Sequence, residues 1–449
     1  MWRPSMTADP PPIVIPDRAT AEDDLAPSSL LGASRGRRAA WAGGVGTVIE
    51  YYDYSLFGFL IVTISPLFFP ASDPAAALMS GLMLFATGFL LRPIGGLIFG
   101  RIGDRYGRKQ ALLATLLSMG LASTAIGLLP TYETIGVWAT VLLVLVRSVQ
   151  GLSAGGELGG SMTFIAESSS VSKRGANGAA SAIGITVGYS VAGVTVGLIS
   201  FALPTEQFGS WGWRIPFLLT LPLCLYCLWL RSRSEETLSP TAARSRRGAL
   251  RRLLSDDGRG LALTSLASIA VNGTCYIGLS YLSVHLIQVL TLPQTAVYWI
   301  VVVAMMTSGG ASFLAGRISD RVGLMTVTRT GMIVFAVIAV PAFAAMSTGN
   351  LVAVLVAYIA LMSTAMAAAA PVLASVPMLF RTEHRYTGTA LGWNIGAVTA
   401  GATTPLVAFW LVEQTDSPIS PAGVCLIAAV LGVVITFPIR RHLEHRASH

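Results

Sequence analysis

The sequence predicts an all-α polytopic membrane protein with twelve transmembrane helices in two pseudo-symmetric six-helix bundles. Three observations carry that expectation. First, the 449-residue chain is 53% hydrophobic and only 12% charged, whereas a soluble domain carries about 25% charged residues. Second, weakly charged apolar runs recur along the chain, and roughly 20 such residues span the hydrocarbon core of a bilayer. Third, an eight-residue pattern occurs twice, as Gly100-Arg101-Ile102-Gly103-Asp104-Arg105-Tyr106-Gly107 and as Gly316-Arg317-Ile318-Ser319-Asp320-Arg321-Val322-Gly323, with six of eight positions identical. The copies start 216 residues apart (316 − 100), close to half the chain, which marks two related halves.

The elements follow in order. Residues 1–34 are rich in Pro, Ala, Ser and acidic side chains and are expected to form a disordered cytoplasmic tail. Ile13-Val14-Ile15 is too short for the apolar region of a signal peptide. The first half, 35–230, holds spans at about 41–66, 77–100, 110–130, 136–166, 176–202 and 214–231. An Arg-rich cytoplasmic linker, 231–260, follows, with a short amphipathic helix expected around Leu250–Leu254. The second half, 261–439, holds spans at about 261–290, 295–316, 328–347, 352–380, 388–412 and 420–439, and 440–449 is a short cytoplasmic tail. The runs are continuous rather than alternating, so helices are expected and not a barrel. In the fifth span Gly178, Gly184, Gly188, Gly193 and Gly197 recur. They fit either fixed close packing or a sliding surface between rocking helices.

The net charge of +8 raises a nucleic-acid reading, which fails on distribution. The basic residues gather before the first span (Arg35, Arg37, Arg38), at the repeated loops, in the linker and after the last span. That is the positive-inside bias. It places both termini in the cytoplasm of a multi-pass plasma-membrane protein. Cys224, Cys227, Cys275 and Cys425 all lie in apolar runs, so no disulfide framework is expected. No metal and no cofactor is expected either. The histidines, His285, His384, His442, His445 and His449, are mostly in loops or tail, and no nucleophile and base converge with them as a membrane enzyme would need.

Charges inside a span are costly and mark function. Five stand out: Glu50 and Asp53 in span one, Arg92 in span two, Arg147 and Glu157 in span four. At 1.5 Å per residue, Asp53 lies roughly 20 Å in from Ala40 and Arg147 roughly 16 Å in from Gly136, both near the midplane of a core about 30 Å thick. Charge balance couples Asp53, with Glu50 a turn away, to Arg147, and couples Glu157 to Arg92. A carboxylate that alternates between water and an arginine partner can take up and release a proton. Asp53, Arg147 and Glu50 are thus the proton-coupling candidates, unless the pairs simply hold the bundle together. Arg92 and Glu157 are candidates for gating or for meeting substrate charge.

In the second half, span seven holds Asn272, Tyr276, Tyr281, His285 and Gln288, and the last three share a helical face. Span eleven holds Trp393 and Asn394. The substrate-binding candidates are Tyr52, Tyr54, Gln150, Tyr281, His285, Gln288, Trp393 and Asn394. The repeated loops, with Gly100, Asp104, Arg105, Gly107 and Arg108 in the first copy and Gly316, Asp320, Arg321 and Gly323 in the second, read as topology and gating elements. Their glycines permit tight turns and their aspartates can cap a helix or pair with a base.

These residues resemble the major facilitator superfamily in its metabolite:proton symporter branch. The loop Gly100 to Lys109 is similar to the superfamily's signature between helices two and three. Gly46 to Tyr54, Arg92-Pro93-Ile94-Gly95-Gly96, Arg147-Ser148-Val149-Gln150-Gly151 with Gly155-Gly156-Glu157, Glu167 to Gly175, and Trp211 to Phe217 resemble the branch more specifically. So do Arg385-Tyr386-Thr387-Gly388, Asn394 and Gly401 to Pro405. The resemblance covers about residues 40–440. It implies a twelve-helix rocker-switch fold, expected to be monomeric in lipid, that imports a small organic acid or zwitterion together with protons. It also implies that an aspartate in helix one faces an arginine in helix four, the positions of Asp53 and Arg147. Two motifs depart from the family, at Glu236-Thr237-Leu238 and Phe380-Arg381-Thr382, and the long coiled-coil tail of osmosensing betaine transporters does not follow the last span. The nearest rival is a proton-antiport exporter, disfavoured because the fifth span lacks the proline such exporters carry there. A non-transporting receptor is a further alternative.

Overall fold

The computed structural model describes residues 25–70, 73–106, 108–232, 249–382 and 385–447; its side chains are described between 44 and 446, outside 100–101, 103–109, 111–112, 171 and 230–252. Among the described residues every regular element is helical and no strand occurs. Ten helices among the described residues are long and apolar enough to cross a membrane: Gly44–Phe68, Pro74–Phe99, Val137–Ser168, Arg174–Ala202, Leu253–Val289, Gln294–Val322, Leu324–Met346, Leu351–Leu379, Arg385–Thr415 and Ala422–Arg446. A shorter apolar helix, Leu113–Leu128, and a pair bent by 50°, Thr205–Gly212 with Arg214–Trp229, occupy the positions of spans three and six. The twelve sequence runs therefore all become helices, numbered below as spans one to twelve. Their outward faces carry side chains such as Phe201 (79% exposed) and Ile427 (75% exposed), an arrangement suited to lipid.

Three expected boundaries shift. The helix of span one begins at Leu25, inside the stretch expected to be disordered, because Leu, Ala and Arg from there onward are good helix formers continuous with the span. Residues 1–24 lie outside the described residues. A helix does begin at Ala249, as expected near Leu250, but it runs on into span seven with a single non-helical residue at Asp257 (φ −129°, ψ 22°). The last helix continues through Ala447, so most of the expected tail 440–449 is helical.

Spans two and four are each broken, and the breaks face each other. Span two stops at Leu90 and restarts at Arg92, where Pro93 cannot donate to the preceding turn. Span four stops at Ala154 and restarts at Glu157, across Gly155-Gly156. The chains touch backbone to backbone: a Cβ on Gly95 would overlap the Leu152 carbonyl, and one on Gly155 would overlap the Arg92 carbonyl. These interruptions set Arg92 and Glu157 at the first positions of the helices that restart. Span seven contains two wider, π-helical turns, Ile277–Tyr281 and His285–Val289, and span eleven contains one, Ala397–Gly401.

The glycines of span five separate into two roles. Gly184 and Gly188 face the backbone of span one, at Gly44 and Val48, inside the same half. Gly178, Gly193 and Gly197 face Ala374, Val302 and Trp299 of the other half. Fixed packing and the surface between halves are thus on different faces of one helix.

Contacts between the halves occur near both ends. At the end that carries the termini, Tyr386 Oη donates to the Gly156 carbonyl (3.0 Å), Asn394 Nδ2 to the Gly155 carbonyl (2.8 Å), and Arg385 meets Glu167 at 3.4 Å. Asp320 accepts from the backbone N–H groups of Gly175 (2.7 Å) and Ala176 (3.0 Å), at the start of span five. The aspartate of the second signature copy thus caps a helix of the opposite half. Gly323 ends span eight with φ +98° and Gly316 sits against the Gly175 carbonyl, while the Arg317 guanidinium lies over Phe313 at 4.3 Å. Arg321 is exposed in the last turn of span eight. In the first copy, Gly107 and the surroundings of Gly100, Asp104, Arg105 and Arg108 lie outside the described residues. At the opposite end Tyr298 Oη donates to the Phe59 carbonyl (3.3 Å) and Ser200 bonds Thr295 (2.8 Å).

Candidate functional site

Asp53 and Arg147 are buried, at 2% and 1% exposure. They line one enclosed cavity with Tyr54, Gly88, Arg92 and Gln150. Its volume of about 10 Å³ leaves room for one water at most. The two charged groups meet through Gln150 rather than directly. Arg147 Nη1 donates to Gln150 Oε1 (2.8 Å), and Gln150 Nε2 donates to Asp53 Oδ2 (3.1 Å). The same amide nitrogen contacts the Ser123 hydroxyl of span three. One helical turn separates Arg147 from Gln150, so span four presents both to span one. Among the described residues Arg147 Nε and Nη2 have no hydrogen-bond partner.

Aromatic rings complete the wall. The Arg147 guanidinium lies 4.5 Å from the Phe57 ring centre, 5.0 Å from Tyr54 and 5.6 Å from Phe85. The Arg92 guanidinium lies 4.6 Å from Phe89 and 4.7 Å from Tyr54. One ring, Tyr54, therefore faces both cations. Tyr276 of span seven packs edge-on against Phe89 (5.1 Å) and Tyr54 (6.2 Å) and brings the second half to the site. Such faces attract cations electrostatically, more so where water is excluded. Tyr276 was named in the sequence with the polar side chains of span seven, whereas Phe57, Phe85, Phe89 and Ser123 were not among the sequence candidates. Phe85 and Phe89 stand one turn apart on the face that leads to Arg92, the one pattern that pointed to them.

The remaining candidates scatter. Glu50 is buried one turn before Asp53, with Arg92 within its electrostatic reach. The restart of span two at Arg92 sets its guanidinium over the rings of Tyr54 and Phe89. Glu157 is buried at the first position of the helix Glu157–Ser168. Tyr52 turns away from the cavity and donates to the Pro216 carbonyl of span six (3.2 Å). Tyr281 and His285 bond each other (3.3 Å), and His285 packs against Phe343 of span nine, so both lie inside the second half. Gln288 is exposed. The expected common face of these three assumed 3.6 residues per turn, and the π-helical turns rotate Gln288 off it. Trp393 is buried and its carbonyl accepts from Ser268 (2.6 Å). Asn394 bonds span four rather than the cavity. Among the described residues no three His, Cys, Asp or Glu side chains gather as metal ligands.

Comparisons agree with this architecture. The Major Facilitator Superfamily family model matches residues 44–403. The proline/betaine transporter of Escherichia coli is 33% identical over 420 residues, covering 90% of this chain and 84% of the relative. The glycine betaine/proline/ectoine/pipecolic acid transporter OusA of Dickeya dadantii is 33% identical over 428 residues, covering 92% and 84%. Among solved structures, the proton:xylose symporter XylE superposes with a TM-score of 0.71 at 15% identity, covering 92% of this chain and 96% of that one. With twelve helices in sequence, broken helices at a buried charged site and a family match over most of its length, the chain belongs to the major facilitator superfamily.

Proposed function

We propose that this chain is a proton-coupled symporter that imports a small organic acid or zwitterionic metabolite by rocker-switch alternating access. The observation that carries the reading is the buried chain Asp53–Gln150–Arg147 in a cavity the size of one water. Asp53 is held by neutral groups, the Gln150 amide and the Ser123 hydroxyl, rather than by a bidentate ion pair, so no ionic bond ties it when the cleft opens to water. A proton on Asp53 cancels its hold on the arginines and leaves a guanidinium for a substrate carboxylate. Proton and carboxylate then enter together, and closing the cleft carries both across. The aromatic faces of Tyr54, Phe57, Phe85 and Phe89 suit an ammonium group, which makes a zwitterion the best match to the whole wall. The two relatives above are named for such substrates.

In this reading Asp53, Arg147 and Glu50 couple the proton, Arg92 and Glu157 serve the gate or the substrate charge, and Tyr54 and Gln150 touch substrate. The halves 35–230 and 261–439 rock about the site, joined by the linker 231–260. The basic residues of the loops support a reading in which both termini lie on the cytoplasmic side of the plasma membrane and a single chain in lipid transports. The test is uptake into proteoliposomes under an imposed inward proton gradient, with labelled proline, glycine betaine and a set of mono-, di- and tricarboxylates. At least one of them accumulates with wild type, and Asp53→Asn abolishes gradient-driven accumulation. If none accumulates, or Asp53→Asn accumulates with unchanged dependence on the gradient, the reading fails.

A further inference from the structure

A second, larger cavity lies away from the buried site, at the end that carries both termini. It encloses about 780 Å³, within the range of small-molecule sites. Five arginines line it, Arg174, Arg259, Arg381, Arg385 and Arg446, against two carboxylates, Asp256 and Asp257. Asp257 is already engaged: it accepts from Arg446 Nη2 (2.8 Å) and from the Arg381 backbone N–H (3.1 Å). Arg385 donates to the Pro377 carbonyl (3.1 Å) and reaches Glu167. The guanidiniums of Arg174, Arg259 and Arg381 have no carboxylate partner among the described residues, and Arg174 Nε is buried without an acceptor. Arg174 also feels the like charge of Arg385 across the boundary between halves.

Cations held around a hollow with too few anions repel one another until an anion enters. Guanidinium forks match phosphate oxygens in number and geometry. Arg174 opens span five, in the first half; Arg381 and Arg385 precede and open span eleven, Arg259 lies on the linker helix that runs into span seven, and Arg446 on the helix that continues span twelve. An anion here touches both halves at once, beside the bonds that close this end. We propose that the cavity binds a phosphate-bearing anion, either the headgroup of an anionic phospholipid or a soluble phosphate ester, and that its occupancy holds this end of the molecule shut. A ligand that needs both walls favours the state in which they are together. The proposal does not depend on the identity of the transported substrate.

The experiment uses the full-length protein in two arms. In neutral detergent, inorganic pyrophosphate is titrated at constant ionic strength while thermal unfolding is followed. In nanodiscs, phosphatidylcholine alone is compared with mixtures containing phosphatidylglycerol. The test variant is Arg259→Gln with Arg381→Gln; both side chains are exposed, so folding should survive. Arg440→Gln, from an exposed pair outside the cavity, controls for general charge loss. A saturable rise in Tm with pyrophosphate identifies a soluble source, and a rise with phosphatidylglycerol alone identifies the headgroup. In either case the double variant weakens the apparent affinity at least about tenfold, the loss of one or more charge-assisted hydrogen bonds, and Arg440→Gln leaves it unchanged. No saturable rise with either probe, equal affinity in the double variant, or equal weakening by Arg440→Gln overturns the proposal.

Discussion

Gln150 holds the centre of the molecule, because a single neutral amide satisfies a carboxylate and a guanidinium that do not meet. Replacing it by Leu leaves both charged groups without that partner in a dry cavity. Orphaning a buried polar group costs about 1–3 kcal/mol, so Gln150→Leu should lower Tm in detergent and reduce gradient-driven uptake. Unchanged melting would show that water replaces the amide. Arg147 makes a different demand: its flat guanidinium lies over three rings, a geometry an ammonium on a flexible stem does not reproduce. Arg147→Lys should therefore transport no better than Arg147→Ala, and near-normal uptake by the lysine variant would refute the cage. Asp53 and Arg147 were legible in the sequence because charge in an apolar run is conspicuous and depth follows from residue counting. Phe57, Phe85 and Ser123 were not, since Phe and Ser are ordinary in any membrane helix. Gln288 was expected on the face of Tyr281 and His285 and leaves it because a π-helical turn leaves no mark in spacing.

At the scale of elements, close backbone approach decides the geometry. Spans two and four touch at Gly95 and Gly155, where any side chain would enter a carbonyl of the other helix. Gly95→Val should destabilise by about 1–3 kcal/mol or more through overpacking. By contrast, a methyl group on Gly310 in span eight would meet no neighbouring side chain or helix within 4 Å among the described residues. Gly310→Ala should be neutral or stabilise by about 0.5–1 kcal/mol, by relieving helix entropy. Thermal melts of the two variants side by side check the contrast; equal effects would mean that the glycines are interchangeable. The twelve spans themselves were readable, because membrane thickness fixes helix length and composition together. Their interruptions were less so: Pro93 and Gly155-Gly156 stand in the sequence, but only packing shows that the two breaks coincide. The helical start at Leu25 was missed because a polar composition and a helical propensity coexist there.

At the scale of the whole molecule, Asp320 links the halves by accepting two backbone N–H groups at the start of span five. A charged hydrogen bond contributes roughly 1.5–3 kcal/mol. If Asp320→Ala removes about 2 kcal/mol from the closed state, the population open at this end rises about 30-fold. Spin labels on the exposed Ser172 and Thr382 should report it as a longer distance by dipolar spectroscopy; an unaltered distance distribution would mean that the other links suffice. The duplicated loop was evident from the sequence, as was its aspartate's capacity to cap a helix. Its target was not, because a cap on the opposite half depends on how two bundles dock, which no local pattern encodes.

Tyr386 and Asn394 both donate to carbonyls released by the interruption at Gly155-Gly156. Those oxygens belong to the main chain, so mutation can crowd them but never delete them. Evolution can therefore adjust the stiffness of this latch from one side only, by swapping the donors on span eleven. Related proteins that open more readily should differ at 386 and 394 while keeping a bare peptide opposite.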